Sequence, residues 1–419
     1  MVDIMINTST IELTDDEIIA QLREEAGKAS LGLTLDAQNA LKKNGLPIIM
    51  ASSDFLLEIP VAMDCSFSNL TVTGSLGTAM PNAAELIDSA AGIDLESRMC
   101  TAIKVAAYYL ESGQLIVPDM VITSNACCDA IDTLGMLMRN YKPWSNVPKF
   151  ILDAPNSEDE AGFVYFGQQL RQAVTFIEGV LGKKMDWERL RKVCLETNKQ
   201  NQLLIELREL KKAIPCPVDP DLIHQGITLS KWLSPASPQV TDWLERLLGV
   251  AERQVKAKNG ISGVQEKIRY LWQDVNGTWA GSTVIARLQK ELGAVCLMDY
   301  VSFAPWSLTD LSSEESMFTS FAKHALLEPG MNRQSLHSTA LFCDDILRCV
   351  VDFKCDAVIL PAHIGHRDVN CRLEIVRDMC HKKGIPYLIL GFDAWDKRYM
   401  PPEVVFDRIK TFFETTGLL

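Results

Sequence analysis

Short apolar runs and longer amphipathic stretches alternate along the first part of the chain. PIIMAS, PDMVIT and KFILDAP have the length and apolar content of buried strands, whereas DFLLEIPVAM, PNAAELIDSAAGID, RMCTAIKVAAYYLESG and CCDAIDTLGMLMRN have helical length. A further helix is predicted around Leu336 to Phe353. Proline at the start and glycine at the end of such stretches mark helix boundaries. Strands that alternate with helices predict a parallel sheet wrapped by helices.

The same rhythm returns near the carboxyl end, in the runs KIRYLW, AVCLMDY, CDAVILP and IPYLILGFD. Between the two blocks lie long charged helical stretches such as WERLRKVCLETNKQNQLLIELRELKKA. We therefore predict an α/β protein of two doubly wound parallel-sheet domains, Rossmann-like or flavodoxin-like, with a helical insert between them. The predicted divisions are an amino-terminal docking arm (1–45), a first α/β domain (46–160), the insert (161–260) and a second α/β domain (261–419).

The charge pattern excludes one class of partner. The formal net charge is -13 and no basic run is present, which argues against nucleic-acid binding. No apolar stretch approaches the roughly 18 residues of a membrane span, and no secretory signal is visible near Met1, so we expect a cytoplasmic protein without membrane contact. Phosphate-binding glycine loops of the usual kinds are absent.

Twelve cysteines are a high number for a protein of a reducing compartment, where disulfides are rare. Ligands collect beyond the carboxyl ends of parallel strands. Adjacent Cys127 and Cys128 follow the PDMVIT strand, Cys371 follows CDAVILP, and Cys100 opens a helix, whose N–H groups favour a thiolate. Core packing accounts better for the other cysteines in strand-like and helical runs (Cys194, Cys296, Cys343, Cys349 and Cys355). Because no C-x-x-C is present, spacing alone indicates a metal site only weakly.

Three stretches resemble the benzoyl-CoA reductase and 2-hydroxyacyl-CoA dehydratase family. They are ESRMCTAIKVAAYYLESGQLIVPDMVITSNACCDAI, VQEKIRYLWQDV and HRDVNCRLEIVRDMCHKKGIPYLILGFDAWDKR. The first resembles the family's helix-opening cysteine followed by a strand and a second cysteine. The last resembles its loop cysteine, helix, GIP and strand. The likeness extends from about residue 46 to the carboxyl end, with the insert matching in character only.

The resemblance implies a cofactor and its ligands. In that family three cysteines bind a [4Fe-4S] cluster in a cleft, and the matching positions here are Cys100, Cys128 and Cys371. Cys127 is an alternative to its neighbour Cys128, and His366 is an alternative ligand near Cys371. The family also implies a homologous second subunit, a separate ATP-hydrolysing iron–sulfur activator protein and an acyl-CoA substrate.

By this resemblance, the chain is expected to be the iron–sulfur subunit of an (R)-2-hydroxyacyl-CoA dehydratase, a lyase that eliminates water by a ketyl-radical route. A subunit of an ATP-dependent benzoyl-CoA reductase, or a non-catalytic electron-relay partner, are the alternatives. Ser52 and Ser53, which follow a strand, are candidates to bind the thioester carbonyl, although serines at such positions usually cap a helix. Glu58 is a candidate general base.

Overall fold

The computed structural model describes residues 13–52, 55–93, 95–96, 98–126, 141–303, 306–328 and 330–419. Its first sheet is wholly parallel, with strand order β2-β1-β3-β4. These strands are β1 (Ile48–Ala51), β2 (Ser66–Ser68), β3 (Met120–Ser124) and β4 (Lys149–Leu152). Residues of β1 and β3 are apolar on consecutive positions because helices cover both faces of a parallel sheet.

The second sheet repeats this plan with the order β6-β5-β7-β8, again wholly parallel. Its strands are β5 (Ile268–Trp272), β6 (Ala294–Met298), β7 (Ala357–His363) and β8 (Tyr387–Phe392). In both sheets the strand order reverses between the two central strands, β1/β3 and β5/β7. Such a switch point opens a crevice beyond the carboxyl ends of the strands, where ligands of α/β proteins bind.

The described α-helices are numbered here in chain order. They are α1 (Asp15–Ser30), α2 (Leu35–Ala40), α3 (Glu58–Ala62), α4 (Leu70–Gly77), α5 (Ala83–Ala91), α6 (Thr101–Glu111), α7 (Lys142–Ser145), α8 (Glu160–Leu181), α9 (Trp187–Leu210), α10 (Pro220–Thr228), α11 (Pro238–Ala257), α12 (Glu314–Leu327), α13 (Gly330–Ser335), α14 (Thr339–Asp352), α15 (Arg367–Asn370), α16 (Leu373–Lys382) and α17 (Pro402–Thr415). Short 3-10 turns span Leu31–Leu33 and Leu41–Asn44, and π-helical turns span Leu229–Leu233, Gly281–Ile285 and Leu288–Leu292.

Local sequence explains where the long helices begin and end. The Asp159 carboxylate accepts the N–H of Gly162 at the start of α8, and α8 ends at Gly182, whose φ of 64° is left-handed. The Asp186 carboxylate caps α9 in the same way. Helices α9 to α11 and α1 share one apolar cluster, so the amino-terminal helix packs on the helical region between the sheets.

Each sheet is covered on both faces, which confirms the predicted doubly wound α/β class. One face of the first sheet packs on α8 and α12, and its other face packs on α4 to α6. The second sheet packs between α17 on one side and α14 with α16 on the other. Among the described residues, no helix is both long and apolar enough to cross a bilayer.

Two details of the predicted elements differ from the structure. DFLLEIPVAM was expected to be helical, but α3 begins only at Glu58, and the preceding Phe55 and Leu57 are buried outside the helix. The helix expected from Leu336 to Phe353 begins at Thr339, where the Ser338 hydroxyl provides the cap. The helix predicted from Cys127 lies outside the described residues.

The cysteines assigned to the core are indeed core residues. Cys194, Cys349, Cys355 and Cys296 are buried, and Cys343 packs against the same apolar cluster as Cys349. Burial raises the pKa of the Cys349 thiol to about 11, which keeps it protonated and unreactive at neutral pH. These positions therefore serve packing.

Candidate active site

Titratable side chains follow the carboxyl ends of all four strands of the second sheet. Asp274 and Asp299 follow β5 and β6, His363 ends β7, and Asp393 follows β8. All four are buried. Because carboxyl ends of parallel strands meet at one edge, these side chains lie along the crevice that faces the first sheet.

Cys100 faces this edge from the first half of the chain. It is the N-cap residue of α6, is buried, and places its Sγ 3.3 Å from Nε2 of His363. The loop after β7 approaches so closely that a Cβ on Gly365 would lie 2.4 Å from Cα of Cys100. Unpaired N–H groups at the start of a helix favour a thiolate, so Cys100 occupies a setting that suits a metal ligand.

His363 is fully buried, and both its ring and its main chain accept hydrogen bonds. Its Nδ1 accepts the main-chain N–H of Ala394 at 3.2 Å, and the Asn370 amide donates to its carbonyl oxygen. Burial holds the pKa of His363 well below its ordinary value, and the nearby His366 lowers the pKa further. His363 is therefore a neutral imidazole.

His366 lies beside it in a different hydrogen-bonded setting. Its Nδ1 lies 2.7 Å from Oδ1 of Asp274, which is fully buried. The centroids of the His363 and His366 rings are 4.9 Å apart in an edge-on arrangement. Tyr300 packs on the far side of His366, with the ring centroids 6.1 Å apart.

An apolar cavity of about 300 Å³ adjoins this cluster. Tyr300 and Trp395 connect the two, because both line the cavity and their rings contact His366 and His363 respectively. Other apolar walls come from both halves and from the helical region: Phe55, Leu56, Leu57, Val72, Leu76, Ile227, Trp232, Val275, Val301 and Trp306. The volume falls at the lower end of the range for small-molecule sites, about 300 to 1,000 Å³.

A histidine–aspartate pair lies beside the cavity, and its histidine, His224, lines the cavity wall. Nδ1 of His224 is 2.5 Å from Oδ2 of Asp299, whose other oxygen accepts the N–H and hydroxyl of Ser302. Burial alone would raise the pKa of Asp299, but His224 and Ser302 hold it well below its ordinary value. Burial lowers the pKa of His224, yet Asp299 outweighs burial and raises it.

A second histidine–carboxylate pair and a half-buried lysine, Lys231, line the same cavity. Nδ1 of His324 is 2.8 Å from Oε2 of Glu328, whose other oxygen accepts the N–H and hydroxyl of Ser307. The Lys231 ammonium lies 4.6 Å from the centroid of the Trp306 ring. Burial lowers the pKa of Lys231, and the carboxylates of Glu328 and Glu58 partly offset this effect.

The structure places two of the three predicted catalytic residues. Glu58 is the first residue of α3, is partly exposed and lines the apolar cavity. Ser52 lines a neighbouring cavity of about 380 Å³, which shares Phe55 and Leu57 with the first. The Ser52 hydroxyl is buried and has no hydrogen-bond partner among the described residues. Capping is therefore the wrong interpretation for Ser52, since α3 has Leu57 as its N-cap. Ser53 lies outside the described residues.

The predicted metal ligands are placed only in part. Cys371 follows α15, is exposed, and its thiol donates to the Asp368 carbonyl at 3.1 Å. Cys127 and Cys128 lie outside the described residues. In the parts of the chain that the structure describes, no three His, Cys, Asp or Glu side chains form a ready metal-ion site. Of the predicted ligands that the structure describes, Cys100 and the alternative His366 both adjoin His363, whereas Cys371 is exposed after α15.

Sequence reasoning missed several residues of the cleft. Asp274, Asp299 and Asp393 follow their strands directly or by two residues, in KIRYLWQD, AVCLMD and IPYLILGFD, so the strand-end rule could have identified them. His224 and His324 lie on helices α10 and α12, and no pattern in the sequence places them beside a cavity.

Comparisons with known proteins identify similar sequences. Residues 52–416 match the family model described as 2-hydroxyglutaryl-CoA dehydratase, D-component. The chain is also 22% identical over 316 residues to the lactoyl-CoA dehydratase subunit alpha of Anaerotignum propionicum, which covers 71% of this chain and 69% of that protein. Because the family model matches most of the chain, this protein belongs to the family of the 2-hydroxyglutaryl-CoA dehydratase D-component.

Proposed function

We propose that this dehydratase component carries a site that eliminates water from an (R)-2-hydroxyacyl-CoA to give an enoyl-CoA. The reaction breaks the bond from C2 to the hydroxyl oxygen and a C–H bond at C3, and forms the C2–C3 double bond. One observation carries the proposal: an apolar cavity of about 300 Å³ adjoins the buried Cys100 and His363 at the edge where the strand order reverses.

The cavity walls suit the acyl part of such a substrate. Aromatic and aliphatic side chains, among them Trp306, Trp395 and Phe55, would hold an acyl chain and exclude water from it. The adjoining polar cavity beside Ser52 offers a buried hydroxyl for a carbonyl oxygen. We propose that Ser52, with Ser53 beside it in the chain, binds the thioester carbonyl in this way.

Elimination also needs a group that accepts the C3 proton. Glu58 faces the cavity and lies near the positive charge of Lys231. A carboxylate in an apolar cavity that excludes water is a competent proton acceptor. We assign Glu58 this role.

The setting of Cys100, a buried cysteine at a helix amino end, supports a [4Fe-4S] cluster. Cys100, Cys128 and Cys371 are the proposed ligands, with Cys127 and His366 as alternates. The Asp274 carboxylate on Nδ1 of His366 resembles the carboxylates that accept the free ring N–H of metal-bound histidines and orient the ring. When bound, such a cluster would supply a low-potential electron and an open iron site for ketyl-radical chemistry.

The names of the matched family and relative, a D-component and a subunit alpha, support a partner subunit. We propose that this partner is a homologous second chain, and that a separate ATP-hydrolysing iron–sulfur activator delivers the electron. The working complex would then sit in the reducing cytoplasm.

The test is turnover by the anaerobically assembled complex with activator, ATP and a low-potential reductant. We expect dehydration of lactoyl-CoA or 2-hydroxyglutaryl-CoA and no reduction of benzoyl-CoA. Turnover of benzoyl-CoA alone would assign the complex to ring reduction instead. Iron and sulfide analysis of the isolated chain separates a cluster-bearing subunit from an iron-free partner that only completes the interface.

A further inference from the structure

We propose that His363 is a positioning residue that donates an Nε2–H hydrogen bond to the Cys100 sulfur, and is not itself a ligand of the metal group. The proposal deepens the proposed function and rests on it for the identity of the metal group. The hydrogen bond itself rests on geometry alone.

The tautomer of His363 follows from its contact with Ala394. The main-chain N–H of Ala394 points at Nδ1 from 3.2 Å, so Nδ1 must present a lone pair. An imidazolium would place two N–H groups against each other there. The single proton of the neutral ring therefore sits on Nε2, which lies 3.3 Å from Sγ of Cys100. A nitrogen that carries a proton has no lone pair for a metal.

Buried hydrogen bonds and two chain links form a closed ring that fixes His363 against Cys100. Asp393 Oδ2 accepts the hydroxyl of Thr101, the residue after Cys100, at 2.7 Å. The residue after Asp393 is Ala394, whose main-chain N–H donates to Nδ1 of His363. Nε2 of His363 in turn contacts Sγ of Cys100, which completes the ring. Since Cys100, Asp393 and His363 are all buried, water cannot readily replace any of these bonds.

The loop that carries Ala394 is fixed by further contacts. Asp393 Oδ1 accepts the N–H groups of Trp395 and Asp396 at 2.9 and 3.2 Å, and its carbonyl accepts the indole N–H of Trp279. These hydrogen bonds fix the direction in which the Ala394 N–H points, toward Nδ1 of His363. The neighbouring His366 differs, because its Nδ1 donates to the Asp274 carboxylate.

The physical consequence concerns the charge on sulfur. An N–H donated to a ligating thiolate stabilises negative charge, and this favours the reduced form of an iron–sulfur centre more than the oxidised form. His363 would thus raise the reduction potential of the centre and hold the Cys100 side chain toward the cavity.

The experiment compares His363→Leu and His363→Gln in the anaerobically assembled complex, by redox titration followed by EPR and by iron analysis. We expect the leucine variant to keep its iron while its reduction equilibrium shifts about tenfold toward the oxidised form, which is about 59 mV for one electron. Glutamine can place an N–H near the same position, so it should recover at least half of that shift. His337→Leu, which removes another buried histidine, is the matched control and should leave the potential unchanged.

Two outcomes of the variant experiment overturn the proposal. Loss of iron from both His363 variants, with the control intact, would make His363 a ligand, and an unchanged potential in His363→Leu would remove its role. The tautomer is tested separately by histidine 15N NMR of the iron-free chain, where we expect protonated Nε2. Protonated Nδ1 would refute the hydrogen bond even if the His363 variants fail to fold. Absence of iron in the unmutated complex would refute the proposed function but leave this measurement decisive for His363.

Discussion

Replacing Gly365 with alanine tests the close approach on which the cleft depends. An added Cβ would lie 2.4, 2.5 and 2.7 Å from Cα, Cβ and N of Cys100, whereas ordinary contact begins near 3.4 Å. The gap must therefore open by about 1 Å, and two of the three atoms are backbone that cannot rotate away. Overpacking of this kind costs about 1–3 kcal/mol, and we expect the upper half of that range.

The assay is urea unfolding followed by tryptophan fluorescence, together with alkylation of Cys100 read by mass spectrometry. We expect Gly365→Ala to lower the free energy of unfolding by about 2–3 kcal/mol and to speed the labelling of Cys100, which is now only 7% exposed. Gly391→Ala is the matched control, because Gly391 is exposed on β8 and a Cβ there meets nothing within 4 Å. If the two variants are equally stable and equally protected, the close contact between the Gly365 loop and α6 is refuted.

Three further variants test residues in and beside the cavity. Asp299→Asn breaks the buried pair with His224 and should cost about 3–5 kcal/mol in urea unfolding. Because folding raises the pKa of His224, the stability from this group is fully present below pH 6.5 and is lost as the pH rises through the folded pKa. Because folding lowers the pKa of Asp299, the stability from that group is present above pH 3.8. The loss of unfolding free energy in Asp299→Asn should therefore be largest between these pH values and shrink at alkaline pH, and a loss that does not depend on pH would contradict the pairing. Glu58→Gln should lower kcat by about 10²-fold or more with unfolding unchanged within about 0.5 kcal/mol, and full activity would remove Glu58 as proton acceptor. Ser52→Ala removes a buried hydroxyl that has no described partner, so stability should hold or rise by about 1 kcal/mol while KM rises; lost stability with normal KM would exclude the substrate role.

Much of the fold could be read from the chain because its strands are buried on both faces. Runs such as PIIMAS and CDAVILP are continuous, apolar and bounded by turn residues, and they became β1 and β7. The start of α3 could not be read, since Phe55 and Leu57 satisfy a helical pattern while their side chains are used by the core and the cavity wall.

The site was predictable only where chemistry follows a strand or opens a helix. Cys100 was placed correctly at the start of α6 by this reasoning. Its contact with His363 joins residues 263 positions apart and depends on the absence of a side chain at Gly365. The pairing of His224 with Asp299 likewise joins a helix to a strand end 75 residues away. Such long-range pairs depend on how the two sheets meet, which local patterns do not encode.

The most direct test of the central claim is the iron content of a Cys100→Ser variant of the assembled complex, measured beside its turnover of 2-hydroxyacyl-CoA. The matched control is Cys349→Ala, which changes a buried cysteine of the second sheet's core. We predict that the serine variant loses most of its iron and its dehydration activity, while the control keeps both. A Cys100→Ser complex with full iron and full activity would contradict the account.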